Sequence, residues 1–124
     1  MAASNKQRIA GWILSGLVAA LLAFSASFKL IDGQSKAEMF EKGGYTVEKM
    51  FWIGLVEVSV TVLFLIPRTS FLGAILLAAY LGGAVDSHVR GGEPFFVPIL
   101  IGVVVFLGYA LRRPDVIKTA FSRG

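Results

Sequence analysis

Four apolar runs, at residues 9–28, 51–66, 71–85 and 95–111, fill most of the chain, and polar residues gather in the gaps between them. Only the second run has a charge in its interior, Glu57. Runs this long and this uniformly apolar predict helices buried on every side, as in a lipid bilayer. Bilayer hydrocarbon is about 30 Å thick, so a spanning helix needs about 17–25 mostly apolar residues. With their flanking Pro, Thr, Ser and Gly residues, the runs predict spans over about 9–31, 49–66, 69–90 and 94–112. The expected fold is an all-α integral membrane protein, a four-transmembrane-helix bundle forming one domain over 1–124.

The connections are short apart from the first, 32–49, where Asp32-Gly33 can end the first helix. Ser35-Lys36-Ala37-Glu38 has the pattern of a capping box and predicts a short amphipathic helix over about 36–42. Its Met39 and Phe40 are expected to rest on the membrane surface. Gly43-Gly44 should stop it, and Thr46 can cap the next helix. Pro67-Arg68-Thr69-Ser70 predicts a tight helical hairpin; Gly91-Gly92 should end the third span, and Pro94 suits the first turn of the fourth. Lys6 and Arg8 before the first run, with Ser25-Ala26-Ser27 after it, resemble a signal peptide, but the run's length favours an uncleaved signal anchor. Gly11, Ser15, Gly82, Gly83 and Gly102 are expected to let helix backbones approach closely.

Composition sharpens the class. The chain is 56% hydrophobic and 16% charged, too little polar surface to coat a soluble domain of 124 residues. It has no cysteine, which removes disulfides, thiolate metal sites and iron–sulfur clusters, and a single histidine leaves no protein-only zinc or haem site to expect. The pI near 9.7 reflects basic residues scattered over span-flanking segments, which argues against nucleic-acid binding. Those residues orient the chain instead. Lys6, Arg8, Arg68, Arg112, Arg113, Lys118 and Arg123 fall on one side and Lys29, Lys36, Lys42, Lys49 and Arg90 on the other. This excess predicts that both termini are cytoplasmic.

With that topology the remaining ionisable residues converge on the outer end. Lys29 and Asp32 finish the first span, Glu57 lies six residues into the second, and Asp86, His88 and Arg90 finish the third. A carboxylate in hydrocarbon must face inward, be protonated or pair, and Lys29, His88 and Arg90 are its candidate partners. Glu57 is therefore either half of an ion pair that fixes helix register or the group that meets a polar ligand head. His88 is either an interfacial side chain bonded to a loop carbonyl or a proton donor, since imidazole exchanges protons near neutrality. Tyr80 is either core or a hydroxyl reaching Glu57. Asp86 and Arg90 form an i, i+4 pair that can simply stabilise a helix end.

Phe28-Lys29-Leu30, Gly54-Leu55-Val56-Glu57, Ile66-Pro67-Arg68-Thr69, Leu72-Gly73-Ala74-Ile75-Leu76-Leu77 and the continuous stretch from Ala79 through Tyr80-Leu81-Gly82-Gly83-Ala84-Val85-Asp86-Ser87-His88-Val89 to Arg90 resemble the DoxX-like family. The resemblance extends from the first span to Arg113, with Asp86 departing from it. It implies a bacterial four-helix inner-membrane protein. It also implies kinship with small membrane subunits linked to quinone-dependent oxidoreductases and to sulfur or oxidative-stress chemistry. Lys29, Glu57, Tyr80, His88 and Arg90 carry over as matching positions, without an assigned catalytic role.

Three functions compete. The first is a membrane redox accessory protein binding a quinone or similar isoprenoid, its tail among the helices and its head at Glu57 and His88. The second is a structural subunit that anchors a larger complex, such as a membrane oxidoreductase, or a homo-oligomer. The third is a small transporter, disfavoured because few polar residues beyond Ser15 and Thr61 continue toward the other side.

Overall fold

A computed structural model describes residues 4–122, and Arg123 of the basic tail lies outside the described residues. The elements are α1 (Asn5–Leu30), a 3-10 turn (Gly33–Lys36), α2 (Ala37–Lys42), α3 (Val47–Leu65), α4 (Ser70–Arg90), α5 (Phe96–Arg112) and α6 (Pro114–Phe121), with no strand among the described residues. Local chemistry sets the ends. Ser4 and Gln7 form a reciprocal capping box at the start of α1, and Thr46 Oγ1 accepts from the Lys49 amide at the start of α3. Asp32 turns the chain out of α1 with a left-handed φ of 50°, and Gly44 and Gly92 follow the ends of α2 and α4 with φ of 85° and 70°.

The four long helices pack in a ring. α1 lies against α3 and α5, and α4 closes the ring against the same two. Neighbours run antiparallel: the end of α1 meets the start of α3 at Leu30 and Gly54, the end of α3 meets the start of α4 at Phe64 and Gly73, and the end of α5 meets the start of α1 at Gly108 and Gly11. One end of the bundle thus carries the α1–α3 connector and the α4–α5 loop, here called the connector end. The other carries the α3–α4 hairpin and both ends of the described chain, the hairpin end. Between them lies a core of Val18, Leu22, Val60, Phe64, Ala74, Leu77, Leu81, Val105 and Tyr109. Most of the remaining large apolar side chains point outward, among them Leu17, Phe24, Ile75, Leu100 and Val103. That is the reverse of a water-soluble bundle.

Two helices, α1 and α4, are long and apolar enough to cross a membrane by themselves. The four-span expectation is not met helix by helix. α3 carries Glu48, Lys49 and Glu57 within 19 residues, and α5 stops at 17. After α5 the chain bends by 105° into α6, so the pair counts as a third span only if taken together. α6 is an element the basic tail did not announce. It starts at Pro114 and turns Val116 and Ile117 onto the core, and Arg113 hydrogen-bonds Asp115 at 3.0 and 2.8 Å, holding that carboxyl at about 2.

Four other local expectations change. Ser35 does not cap α2, since its hydroxyl donates to the Asp32 carbonyl and a 3-10 turn occupies the stretch where the capping box was expected. Phe40 is buried at 3% exposure with its ring edge against Phe28, so α2 sits on the bundle and only Met39 of the pair is exposed. Pro94 precedes α5, and it is Pro98 that occupies the first turn. Gly82 and Gly83 are likewise not packing contacts: a Cβ on either would meet nothing within 4 Å. The tight approaches lie at Gly73, where a Cβ would come 2.3 Å from the Phe64 nitrogen, and at Gly11 and Gly108, which face each other across α1 and α5.

Candidate functional site

Glu57 sits on the inner face of α3, one turn from Val60 and Thr61, and is 1% exposed. Gly54, one turn earlier, lets α1 come close: a Cβ there would stand 3.0 Å from Leu30 and 3.1 Å from the Lys29 Cβ. That approach brings Lys29 Nζ to 2.9 Å from Glu57 Oε1. Of the three partners the sequence offered to Glu57, the fold selects Lys29. Lys29 also donates to Ser25 Oγ at 2.6 Å and the Ser25 carbonyl at 3.4 Å, and Ser25 Oγ donates to Glu57 Oε1 at 3.4 Å. Two charges taken out of water are tolerable when the pair is close and further hydrogen bonds satisfy the remaining valences, as they do here.

The pair forms part of the wall of an open-mouthed cavity of about 700 Å³ lined by the connector-end halves of α1, α3, α4 and α5 beneath α2. Its volume lies within the range of small-molecule sites. The walls are mainly apolar, with Leu21, Leu22, Met50, Ile53, Leu81 and Ile101 contributing. Polar groups converge from three helices: Lys29 and Ser25 from α1, Glu57 from α3, and Tyr80 and His88 from α4. Tyr80 places its hydroxyl beside the Glu57 carboxylate.

His88 Nδ1 lies 2.7 Å from the Ala84 carbonyl one turn back on its own helix, not a loop carbonyl. A carbonyl only accepts, so Nδ1 carries the proton and a neutral ring keeps its Nε2 lone pair free. Nε2 is 3.7 Å from the exposed Glu93 carboxylate at the cavity mouth.

Arg90 stands apart. It does not line the cavity, and its guanidinium instead binds Asp86 at 3.0 Å, the Tyr45 hydroxyl at 3.0 Å and the Gly43 carbonyl at 3.4 Å. It ties the end of α4 to the segment after α2. Four of the five sequence-derived positions, Lys29, Glu57, Tyr80 and His88, therefore meet in one cavity, and the fifth fastens its cover. Among the described residues no cluster of three or more His, Cys, Asp or Glu side chains could hold a metal ion.

A second buried polar centre was not foreseen. Arg112, counted among the span-flanking basic residues, is 6% exposed at the hairpin end. It donates to Ser15 Oγ at 3.2 Å, the Phe64 carbonyl at 3.3 Å and Ser70 Oγ at 2.5 Å, joining α1, α3 and α4 to its own α5. Its guanidinium carbon lies 3.8 Å from the centre of the Trp12 ring and 5.1 Å from that of Phe64. Among the described residues no carboxylate pairs with it; neutral oxygens and ring faces stabilise the charge. The available signal was its register, four residues after Gly108 and seven after Val105, on the face that packs inward.

Comparison with curated proteins and with solved structures gives no match. Residues 13–111, which carry both sides of the cavity wall, match the DoxX-like family, and the chain belongs to that family.

Proposed function

We propose that this protein is a multi-pass protein of the bacterial inner membrane that binds a quinone-like or other lipophilic molecule in the connector-end cavity, as an accessory to membrane redox chemistry. In this reading all four long helices span the bilayer, α3 and α5 being short spans whose shielded charges and bent end the ring accommodates. The hairpin end, with Lys6, Arg8, Arg68, Arg113 and Lys118, faces the cytoplasm. The observation that carries the proposal is a buried carboxylate, Glu57, on the wall of an otherwise largely apolar cavity. An intramembrane ionisable group beside space for a ligand is the usual mark of a binding or proton-exchange site. A ring-and-tail molecule fits this division, the tail along Leu21, Leu22, Ile53 and Ile101 and the head at Glu57, Tyr80 and His88.

Native mass spectrometry of the protein taken gently from its own membrane tests this. A bound adduct at the mass of an isoprenoid quinone or related lipid is expected. It should vanish in Gly83→Leu, which fills space at the cavity wall where no atom stands within 4 Å of an added Cβ. A folded protein with no adduct would end the proposal.

The second reading, a structural subunit anchoring a membrane complex, draws on the Lys29–Glu57–Ser25 network, which satisfies itself without a ligand. It predicts a stoichiometric protein partner in the same spectrum and indifference to Gly83→Leu.

A further inference from the structure

The hydrogen-bonding character of the cavity points to the kind of head group it takes, an inference that rests on the ligand-binding reading above. Lys29 has three N–H groups, and its contacts with the Ser25 carbonyl, Ser25 Oγ and Glu57 Oε1 account for all three. The Ser25 hydroxyl proton is directed at Glu57 Oε1. The cavity's deep cation therefore has no donor left to offer.

Acceptors predominate among the remaining polar atoms. Glu57 Oε2 makes no side-chain hydrogen bond among the described residues, and none of their sealed polar side-chain atoms is left unpaired, so this oxygen opens on the cavity. The ion pair with Lys29 keeps it a carboxylate oxygen, which only accepts. Tyr80 lines the same space beside Glu57, and donating its proton to that carboxylate would leave its phenolic lone pairs toward the space. His88 spends its Nδ1–H on the Ala84 carbonyl, and in the neutral ring its Nε2, 3.7 Å from the Glu93 carboxylate, is an acceptor. Of the other polar residues lining the space, Lys42 is exposed, Glu93 adds acceptors, the Ser87 hydroxyl both donates and accepts, and the Tyr45 hydroxyl, which accepts from Arg90 at the cover, keeps its proton.

We propose that the cavity selects a lipophilic molecule whose head group donates hydrogen bonds, an alkylated hydroquinone or phenol, over the same ring in its carbonyl or ether form. A quinone carbonyl set against Glu57 Oε2 or His88 Nε2 brings lone pair to lone pair and strips water from both. A phenolic O–H pairs with either. Sites built to pair with a hydroxyl reject analogues that lack it far more strongly than apolar pockets reject a methylene.

The test uses the full chain in detergent micelles, held under nitrogen, with three probes of one skeleton: a decyl-substituted benzohydroquinone, the corresponding benzoquinone, and the hydroquinone's dimethyl ether. Binding is read by competition in native mass spectrometry. The hydroquinone should bind at least about tenfold more tightly than either of the others. In His88→Phe, which keeps an aromatic ring and removes one of the two acceptors, the ratio should fall, the rest being held by Glu57, while the ether's affinity holds. Equal binding of the three probes, or a preference for the quinone, overturns the selectivity and leaves the cavity as a binding site. Binding of none overturns the ligand-binding reading itself.

Discussion

The two ends of the bundle bury charge in different ways. At the hairpin end Arg112 is closed in, its donors directed to Ser15, Phe64 and Ser70 and its flat face covered by Trp12. At the connector end Lys29 and Glu57 neutralise each other, yet the carboxylate keeps one oxygen on a cavity of about 700 Å³. The sites lie only about 10 Å apart along α3, the rise from Glu57 to Phe64. A guanidinium surrounded by dipoles from every helix of the ring works as a fastener, because any movement of one helix costs it a partner. A carboxylate with an unspent acceptor is a surface that another molecule can complete. Burial alone does not mark a functional charge; what matters is whether its valences are all used within the fold.

The largest effect that separates the two ends is expected for Arg112→Met. It leaves the Ser15 and Ser70 oxygens and the Phe64 carbonyl without their donor and should cost about 3 kcal/mol or more in thermal unfolding. Arg112→Lys should recover only part of this, since an ammonium cannot reproduce the planar fork or the stacking on Trp12. Gly73→Ala should come close behind, at about 1–3 kcal/mol, because its Cβ would meet α3 backbone that cannot swing aside. If Arg112→Met unfolds no earlier than wild type, the fastener reading is wrong.

Glu57→Gln belongs in the middle. It leaves the Lys29 ammonium without its counter-charge, but Lys29 is 14% exposed and borders the cavity, so water can reach it. A loss of about 1–3 kcal/mol is expected, below that of Arg112→Met, together with loss of the bound lipid. An unchanged adduct in folded Glu57→Gln protein would remove the carboxylate from the site.

Arg90→Gln tests the cover and should be milder still. Arg90 and Asp86 are half or more exposed, so stability should change by less than about 1 kcal/mol. Hydrogen exchange over residues 43–45 should nevertheless quicken, because the clasp to Gly43 and Tyr45 is gone. The smallest effect concerns α6. The Asp115 carboxyl, lowered from 3.8 to about 2 by its hydrogen bond to Arg113, favours the folded chain above about pH 4 and loses that contribution as pH falls through 2. Asp115→Asn should thus lower Tm only slightly near neutral pH, because the exposed pair is screened, and should match wild type near pH 2, where that contribution is already gone.

Legibility followed the range of the interaction. The connector-end site could be found from sequence because a charge inside an apolar run is conspicuous, and because antiparallel neighbours must bring Lys29, Glu57 and His88 to one end. Which of three bases pairs with Glu57 could not be read, since it turned on Gly54 admitting α1. Phe40 looked like a membrane-facing residue because a six-residue helix shows the same apolar side to lipid or to Phe28. Arg112 and Arg113 are adjacent and alike on paper, but one turns to the core and the other to Asp115.

The sequence by itself determined an all-helical, strongly apolar chain, its helix ends at Thr46, Gly44 and Gly92, and the crowding of ionisable residues toward one end. Those properties depend on hydropathy and on neighbours a few residues apart. Only the tertiary structure decided that Gly73 and Gly108 join Gly11 in carrying the close contacts while Gly82 and Gly83 do not. It also decided that Arg112 is buried, that Arg90 fastens a cover, and that Glu57 keeps an oxygen facing the cavity. Each of these depends on the rotation of one helix about its axis against another. A run apolar on every side does not encode that rotation, because all of its faces are equally at home in hydrocarbon.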